Sequence, residues 1–129
     1  MRFLRLLSFA ALLFCAACSG RQPQPLTLTD ADTAEIVTLA PGQELVLRLS
    51  GNPTTGYSWQ AVKIPPMLRQ VGEAVYTQDA ARPGMVGVGG TEEWRFKATA
   101  RGTGNLEFSY QRPWEKGPAK KRLYNISVW

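Results

Sequence analysis

The side chains that carry most protein chemistry are scarce in this sequence. It contains no histidine, which excludes Ser–His and Cys–His nucleophilic pairs and any zinc site that needs a histidine ligand. The carboxylates that remain include Glu92, Glu93, Glu107, Glu115 and Asp79. Glu93 and Glu107 fall at the polar positions of alternating segments, where exposure to solvent is the ordinary explanation. We therefore expect a protein that is not an enzyme and that binds no metal.

Three other segments are unusually specialised for simple connections. In Asn52-Pro53-Thr54-Thr55-Gly56-Tyr57, proline and glycine fix the backbone around two stiff threonines. Gly87-Val88-Gly89-Gly90 would let a backbone approach another surface closely. Arg112-Pro113-Trp114 combines the large aromatic and arginine side chains that anchor protein interfaces. Taken singly, each has an ordinary alternative: a common turn, a flexible loop or bulge, and a tryptophan that folds back over the edge of the domain.

The elements that position these segments are predicted to be strands. Apolar residues alternate with polar ones along four segments, which is the pattern of half-buried antiparallel strands. With the spacing of the turn residues, this predicts an all-β protein, an immunoglobulin-like antiparallel β-sandwich of about seven or eight strands. A short connection, residues 101–104, predicts a hairpin. The predicted strands lie near 35–39, 44–50, 57–63, 68–77, 91–99, 104–111 and 121–129, with a possible extra strand near 26–30.

The order of the strands adds a constraint on the three segments. Successive strand ends alternate between the two ends of a sandwich, and the three segments are every second connection. They are therefore expected at the same end, where antibody variable domains carry their binding loops. Three specialised loops at one end predict a composite binding edge, which no single motif would indicate.

The N-terminus has the order of a bacterial targeting signal. Arg2 and Arg5 precede an apolar stretch, residues 6–14, that is too short to span a bilayer. Small residues then precede Cys18, and the segment resembles a lipobox, in which the cysteine is lipidated and becomes the new N-terminus. Conventional cleavage nearby, without lipidation of Cys18, is the open alternative.

The predicted layout follows from this signal. Residues 1–17 are a lipoprotein signal peptide, residues 18–25 are the lipidated cysteine and a tether, and residues 26–129 are the folded domain. We expect a protein of the bacterial cell envelope, anchored in the membrane through Cys18. Because Ser19 rather than aspartate follows, the outer membrane is expected, with the protein facing the periplasm or the exterior. Both cysteines precede the domain, so packing must hold it together without a disulfide.

The charge balance excludes one class of partner. The formal net charge is +5, and without Arg2 and Arg5 it falls to +3, from 13 basic and 10 acidic residues. This charge is too weak and too scattered for a nucleic-acid-binding protein. The only local cluster, residues 116–122, is interpreted as a solvated loop rather than a polyanion site.

The three specialised segments resemble the loop motifs of one known family. NPTTGY, GVGG and RPW, in this order and spacing, are similar to those of the chagasin family, which inhibits papain-like cysteine peptidases. The resemblance covers residues 26–129. It implies a monomeric, reversible and competitive inhibitor that occludes the active-site cleft without a cofactor. The target would be a papain-like enzyme of the bacterium itself, of a competitor or of a host.

The resemblance also implies a role for each loop. The tip at Thr54 and Thr55 would lie over the catalytic cysteine and histidine of the target. Residues 87–90 would run along one side of the cleft, and Arg112 and Trp114 would grip the other side.

Two other functions compete with inhibition. One is a lipid-anchored envelope interaction or adhesion domain that does not inhibit proteases. The other is a carbohydrate-binding module that uses Trp59 and Trp114, although the position of Trp59 inside a predicted strand favours the core.

Overall fold

A computed structural model describes residues 20–33 and 35–129. Cys18 and the predicted signal peptide, residues 1–17, lie outside these residues. No helix in the described part of the chain is long and apolar enough to cross a membrane. A single 3₁₀ turn, Pro53–Thr55, interrupts the nine strands found there: β1 Leu26–Thr29, β2 Ile36–Leu39, β3 Glu44–Gly51, β4 Ser58–Lys63, β5 Leu68–Gln70, β6 Val75–Gln78, β7 Gly90–Ala98, β8 Gly102–Gln111 and β9 Lys120–Val128.

The strands form two sheets that pack face to face. The first has the order β1-β3-β7-β5, with β6 also paired to β7, and the second has the order β2-β9-β8-β4. The prediction of an all-β sandwich is confirmed. In the four strands where apolar residues alternate, those residues point inward and are buried, because the apolar face of each sheet is shielded from water by the other sheet. Trp59 is 1% exposed and belongs to the core, as its position predicted. The alternating residues that form most of the core are Leu45, Leu47, Leu49, Trp94, Phe96, Ala98, Leu106, Phe108, Tyr110, Tyr124, Ile126 and Val128.

Two edge strands depart from the expected antiparallel arrangement. β1 runs parallel to β3, with Leu26 opposite Leu45, and β2 runs parallel to β9, with Ile36 opposite Asn125. The chain changes sheet after β1 and again after β2. The neighbour of each strand is therefore not the next strand in sequence and can run in the same direction. Tyr124 in β9 donates a hydrogen bond to the carbonyl oxygen of Thr29 at 2.8 Å, which ties β1 to the opposite sheet.

Two details of the predicted strands are wrong. The strand expected at residues 68–77 is two short strands, β5 and β6, which both pair with β7. Gly72 lies between them with φ +70°, a left-handed conformation that breaks the extended chain. The hairpin expected across residues 101–104 is instead a connection between the two sheets, since β7 and β8 belong to different sheets. A short connection does not distinguish a hairpin from a change of sheet.

The two ends of the sandwich carry different parts of the chain. The loop end comprises residues 52–57, 79–89 and 112–119, which follow β3, β6 and β8. The tether end comprises residues 20–25, 40–43, 64–67 and 99–101. Leu26, the first residue of β1, pairs with Leu45 near the start of β3, so residues 20–25 enter the sandwich at the end opposite the three loops.

Candidate functional site

The first loop is a short turn with its own hydrogen bonds. The side chain of Asn52 accepts a hydrogen bond from the backbone N–H of Thr54 at 3.2 Å, and Pro53 occupies the first turn. Gly56 closes the turn at φ +82°, and its N–H donates to the carbonyl oxygen of Pro53 at 2.9 Å. Thr54 and Thr55 are left exposed. The local sequence therefore holds two small hydroxyl residues on a stiff tip.

A second set of contacts joins this turn to the glycine-rich loop. The side-chain amide of Asn52 donates to the carbonyl oxygen of Gly87 at 2.8 Å. The backbone N–H of the same residue donates to the hydroxyl of Tyr110 at 2.9 Å. A β-carbon on Gly89 would lie 3.3 Å from the carbonyl oxygen of Gly51, so the two chain segments run close together. Asn52 thus fixes the first loop both to the second loop and to the end of β8.

Arg112 joins the turn to the third loop. Its Nε donates to the carbonyl oxygen of Thr55 at 2.8 Å, and its guanidinium lies 4.2 Å from the centre of the Tyr57 ring. Its Nη1 forms an ion pair with Glu115 at 2.8 Å, and that hydrogen bond raises the pKa of Arg112 above its ordinary value. Tyr57 also donates to Glu115, at 3.3 Å. The arginine predicted to contact a partner is therefore largely engaged in holding two loops together.

Trp114 stands out from the surface beside the first loop. It is 70% exposed, which does not fit a ring folded over the edge of the sandwich. Its six-membered ring lies against Gly56, where a β-carbon would overlap Cη2 of the indole. An exposed tryptophan resting on a glycine offers a large apolar face in a fixed position.

Some predicted site residues have internal roles. Gly90 is the first residue of β7 and is buried, and a β-carbon there would overlap the carbonyl oxygen of Thr77 in β6. The lack of a side chain at Gly90 is thus required by the sheet itself. Tyr57 is half-buried, with its ring 5.1 Å from the ring of Tyr110. The exposed members of the predicted site are Pro53, Thr54, Thr55, Gly87, Pro113 and Trp114.

Sequence reasoning did not assign Tyr110 and Glu115 to the site. The alternation in β8 indicated only that Tyr110 points inward, and nothing in its spacing predicts a hydroxyl under the first loop. Glu115 follows Arg112 by three residues, a spacing compatible with an ion pair across a turn. That spacing is the one signal that could have found it.

A half-buried carboxylate also lies near the loop end. Glu92 is on β7 opposite the buried Leu49, and it accepts a hydrogen bond from the backbone N–H of Trp59 at 3.4 Å. Burial raises the pKa of Glu92 above its ordinary value of 4.5. Folding therefore makes the Glu92 carboxyl bind its proton more tightly than an exposed glutamate does. In the described part of the chain, no group of three or more histidine, cysteine, aspartate or glutamate side chains could hold a metal ion.

We expect Glu92→Gln to become more stable relative to the natural protein as the pH rises from about 4.5 towards 7. The folded state of the natural protein binds the Glu92 proton more tightly than the unfolded state. Its contribution to stability is therefore complete below 4.5 and is lost as the pH passes the raised pKa. Glutamine keeps an oxygen for the Trp59 N–H. Urea unfolding at several pH values measures this difference, with the exposed Glu73→Gln as control. A difference that does not change with pH would contradict it.

Comparison with known proteins identifies a family that covers most of the folded domain. A family model, "Chagasin family peptidase inhibitor I42", matches residues 38–128. Amoebiasin-1 of Entamoeba histolytica is 32% identical over 103 residues, which cover 80% of this chain and 97% of that protein. Chagasin of Trypanosoma cruzi is 31% identical over 97 residues, covering 71% of this chain and 84% of that protein.

A solved structure agrees with the architecture. The crystal structure of a cysteine protease inhibitor from Entamoeba histolytica superposes with a TM-score of 0.72, covering 82% of this chain and 96% of that one. Its sequence is 24% identical, so the likeness concerns the fold. The family match spans most of the domain and contains all three loops. The chain belongs to the chagasin family of peptidase inhibitors.

Proposed function

We propose that this protein inhibits papain-like cysteine peptidases reversibly, by inserting the loop end of the sandwich into the active-site cleft. The observation that carries the proposal is the set of side-chain bonds made by Asn52 and Arg112, which join three loops into one exposed edge. Loops that are already held in place lose little conformational entropy on binding, which favours tight complexes. Family membership supports the class of activity.

The exposed parts of the edge suit a cleft built for extended peptides. Residues 87–89 can present backbone groups with few side chains in the way, because two of the three are glycine. The tip at Thr54 and Thr55 can cover the catalytic residues of the target. The turn holds its peptide groups in a 3₁₀ conformation, whereas a bound substrate is extended, so the tip does not present a carbonyl in position for attack. The interface would be of ordinary size, about 800 Å² on each partner.

A titration tests this function directly. Residues 19–129 are added to active papain and to a lysosomal cathepsin, and the cleavage of a fluorogenic peptide is followed. Amoebiasin-1 aligns over 97% of its own length with 103 residues of this chain, so a domain of about this length makes up nearly all of that protein. We expect stoichiometric loss of activity that is recovered on dilution. A folded domain that inhibits neither enzyme would contradict the proposal and favour an envelope interaction protein.

Trp114→Ala is expected to speed dissociation from the target by about 30-fold, as for a hot-spot tryptophan worth about 2 kcal/mol. The ring is exposed and rests on Gly56, so the change removes contact area without opening the core. Surface plasmon resonance with an immobilised, inactivated peptidase measures the rate. Trp129→Ala removes the other exposed tryptophan and should leave the rate unchanged. A loss of thermal stability without faster dissociation would make Trp114 a structural residue.

We also propose that Cys18 carries a lipid and that the mature protein is anchored in the bacterial envelope, in the outer membrane. The order of basic, apolar and small residues before Cys18 supports this, as does the polar tether that follows. Cys18→Ser should move the protein from the membrane fraction to the soluble fraction. Mass spectrometry of the natural protein should show an N-terminal cysteine with diacylglycerol. An unmodified N-terminus downstream of Cys18 would contradict the proposal.

A further inference from the structure

The tether reaches the domain at one definite place. Gln43 in the turn before β3 donates a side-chain hydrogen bond to the carbonyl oxygen of Gln24 at 2.8 Å. Residues 22–25 also line a shallow groove with Gly42, Arg69 and Lys97. Gln22 is four positions after Cys18 in the sequence, which spans at most about 14 Å. The ten residues of β8 extend for about 33 Å, so a lipid at Cys18 stays close to the tether end.

The tether end carries three exposed basic side chains that form no salt bridge within the described part of the chain. Arg69 in β5 lies directly opposite Lys97 in β7, and both are exposed. Like charges in direct opposition across strands are destabilising, and here the pair is offset in part by Glu44 of β3, which lies opposite Lys97 on its other side. Arg101 lies in the connection between β7 and β8, and it too is exposed. Among the described residues, none of these three basic side chains forms a salt bridge, and the adjacent Glu44 is paired with Arg95 at 2.8 Å instead.

Two apolar side chains share this end. Trp129 follows β9, is 64% exposed, and is held by a hydrogen bond from its indole N–H to the hydroxyl of Ser127. Ile64 follows β4 and is 38% exposed. Tryptophan beside basic residues is the combination found where proteins meet the headgroup region of a bilayer.

We propose that the tether end is a membrane-facing surface that binds anionic lipid headgroups through Arg69, Lys97 and Arg101, with Trp129 at the lipid interface. The inference rests on the proposed anchoring through Cys18. Its consequence is that the loop end points away from the bilayer, so the anchored protein keeps its inhibitory edge accessible. The loop end is basic as well, through Arg82 and residues 116–121, but the tether cannot bring that end to the membrane.

The two exposed tryptophans report the orientation, because they lie at opposite ends. The lipoprotein is reconstituted into phosphatidylcholine and phosphatidylglycerol vesicles that contain a headgroup-spin-labelled lipid. The variant Trp114→Phe leaves Trp129 as the exposed reporter, and Trp129→Phe leaves Trp114. We expect strong quenching of the exposed fluorescence in the first variant and little in the second. Quenching of Trp114, or of neither tryptophan, overturns the proposal.

The basic surface is tested in the same lipoprotein, because the tether is what keeps the basic loop end from the bilayer. In the Trp114→Phe background, the double change Arg69→Gln and Lys97→Gln should weaken the quenching of Trp129, since the tether end loses its attraction to the anionic headgroups. The matched pair Lys120→Gln and Lys121→Gln removes the same charge at the loop end and should leave the quenching unchanged. Equal effects of the two pairs would overturn the assignment of the surface.

The outcomes also separate this inference from the proposed function. If vesicle-bound lipoprotein inhibits a soluble papain-like peptidase as fully as the free domain does, the loop end is accessible, as expected. If the free domain inhibits and the vesicle-bound protein does not, the orientation is wrong and the inhibitor function stands. If the free domain itself fails to inhibit, the function is wrong, and the tryptophan quenching still decides the orientation.

Discussion

Gly56→Ala is expected to weaken inhibition of a papain-like peptidase by about 100-fold or more. Gly56 has φ +82°, which alanine adopts only with strain, and the added β-carbon would overlap the ring of Trp114. The tryptophan must then move, and the turn that carries Thr54 and Thr55 must change shape. Loss of a hot-spot aromatic together with distortion of the tip corresponds to about 3 kcal/mol of binding free energy. The inhibition constant measures this change.

Gly42→Ala is the matched control for this prediction. Gly42 has nearly the same φ, +83°, but nothing lies within 4 Å of a β-carbon built there. It is in the tether end, far from the loops. Both substitutions should lower stability by about 1 kcal/mol through backbone strain, and only Gly56→Ala should weaken inhibition. Equal inhibition by the two variants would mean that the position of Trp114 does not matter for binding.

The largest expected effect on stability is that of Phe108→Ala. Phe108 is 1% exposed, and its ring meets those of Trp94 at 5.1 Å, Phe96 at 6.1 Å and Tyr124 at 6.4 Å in edge-on contacts. Removing it leaves a cavity between the two sheets and breaks three aromatic contacts. We expect a loss of about 3–5 kcal/mol in the free energy of unfolding. For a domain of this size the melting temperature should fall by about 15 °C or more.

Thermal and urea unfolding measure this loss, and an exposed residue of the same sheet supplies the control. Leu123 in β9 is 41% exposed, so Leu123→Ala should change stability by less than about 1 kcal/mol. Phe108→Leu keeps most of the side-chain volume, so its loss of stability should lie between those of Phe108→Ala and Leu123→Ala. A small effect of Phe108→Ala would show that the aromatic cluster can collapse around the missing ring.

The sequence was informative about the core because a strand has only two faces. Period-two alternation identified the inward-facing apolar side chains of β3, β7, β8 and β9, and each of them is buried. Val46, Ser109 and Ser127, at the alternate positions, are buried as well. Alternation could not show which sheet a strand joins, because it is the same in either sheet. The sequence therefore did not predict that β1 pairs in parallel with β3 and β2 with β9. It also did not predict the change of sheet between β7 and β8.

For the loops, too, the sequence predicted where they lie but not the role of each residue. The alternation of strand ends predicted that the three motifs share one end, and the bonds from Asn52 to Gly87 and from Arg112 to Thr55 show that they do. Which motif residues support the edge and which are exposed depends on contacts between residues more than ten positions apart. Gly90 and Tyr57 illustrate this, since each has the residue type expected at an interface and each is used in packing. Direct contact of the exposed residues with a peptidase stays a prediction.

The sandwich is held together without a disulfide, since no cysteine lies between residues 26 and 129. A cysteine peptidase is active only while its catalytic thiol is reduced, so reductants that activate the enzyme would open the disulfides of many secreted inhibitors. This domain has no disulfide to lose. It also has no thiol that could form a mixed disulfide with the enzyme. The reducing conditions that activate the peptidase therefore leave the domain unchanged.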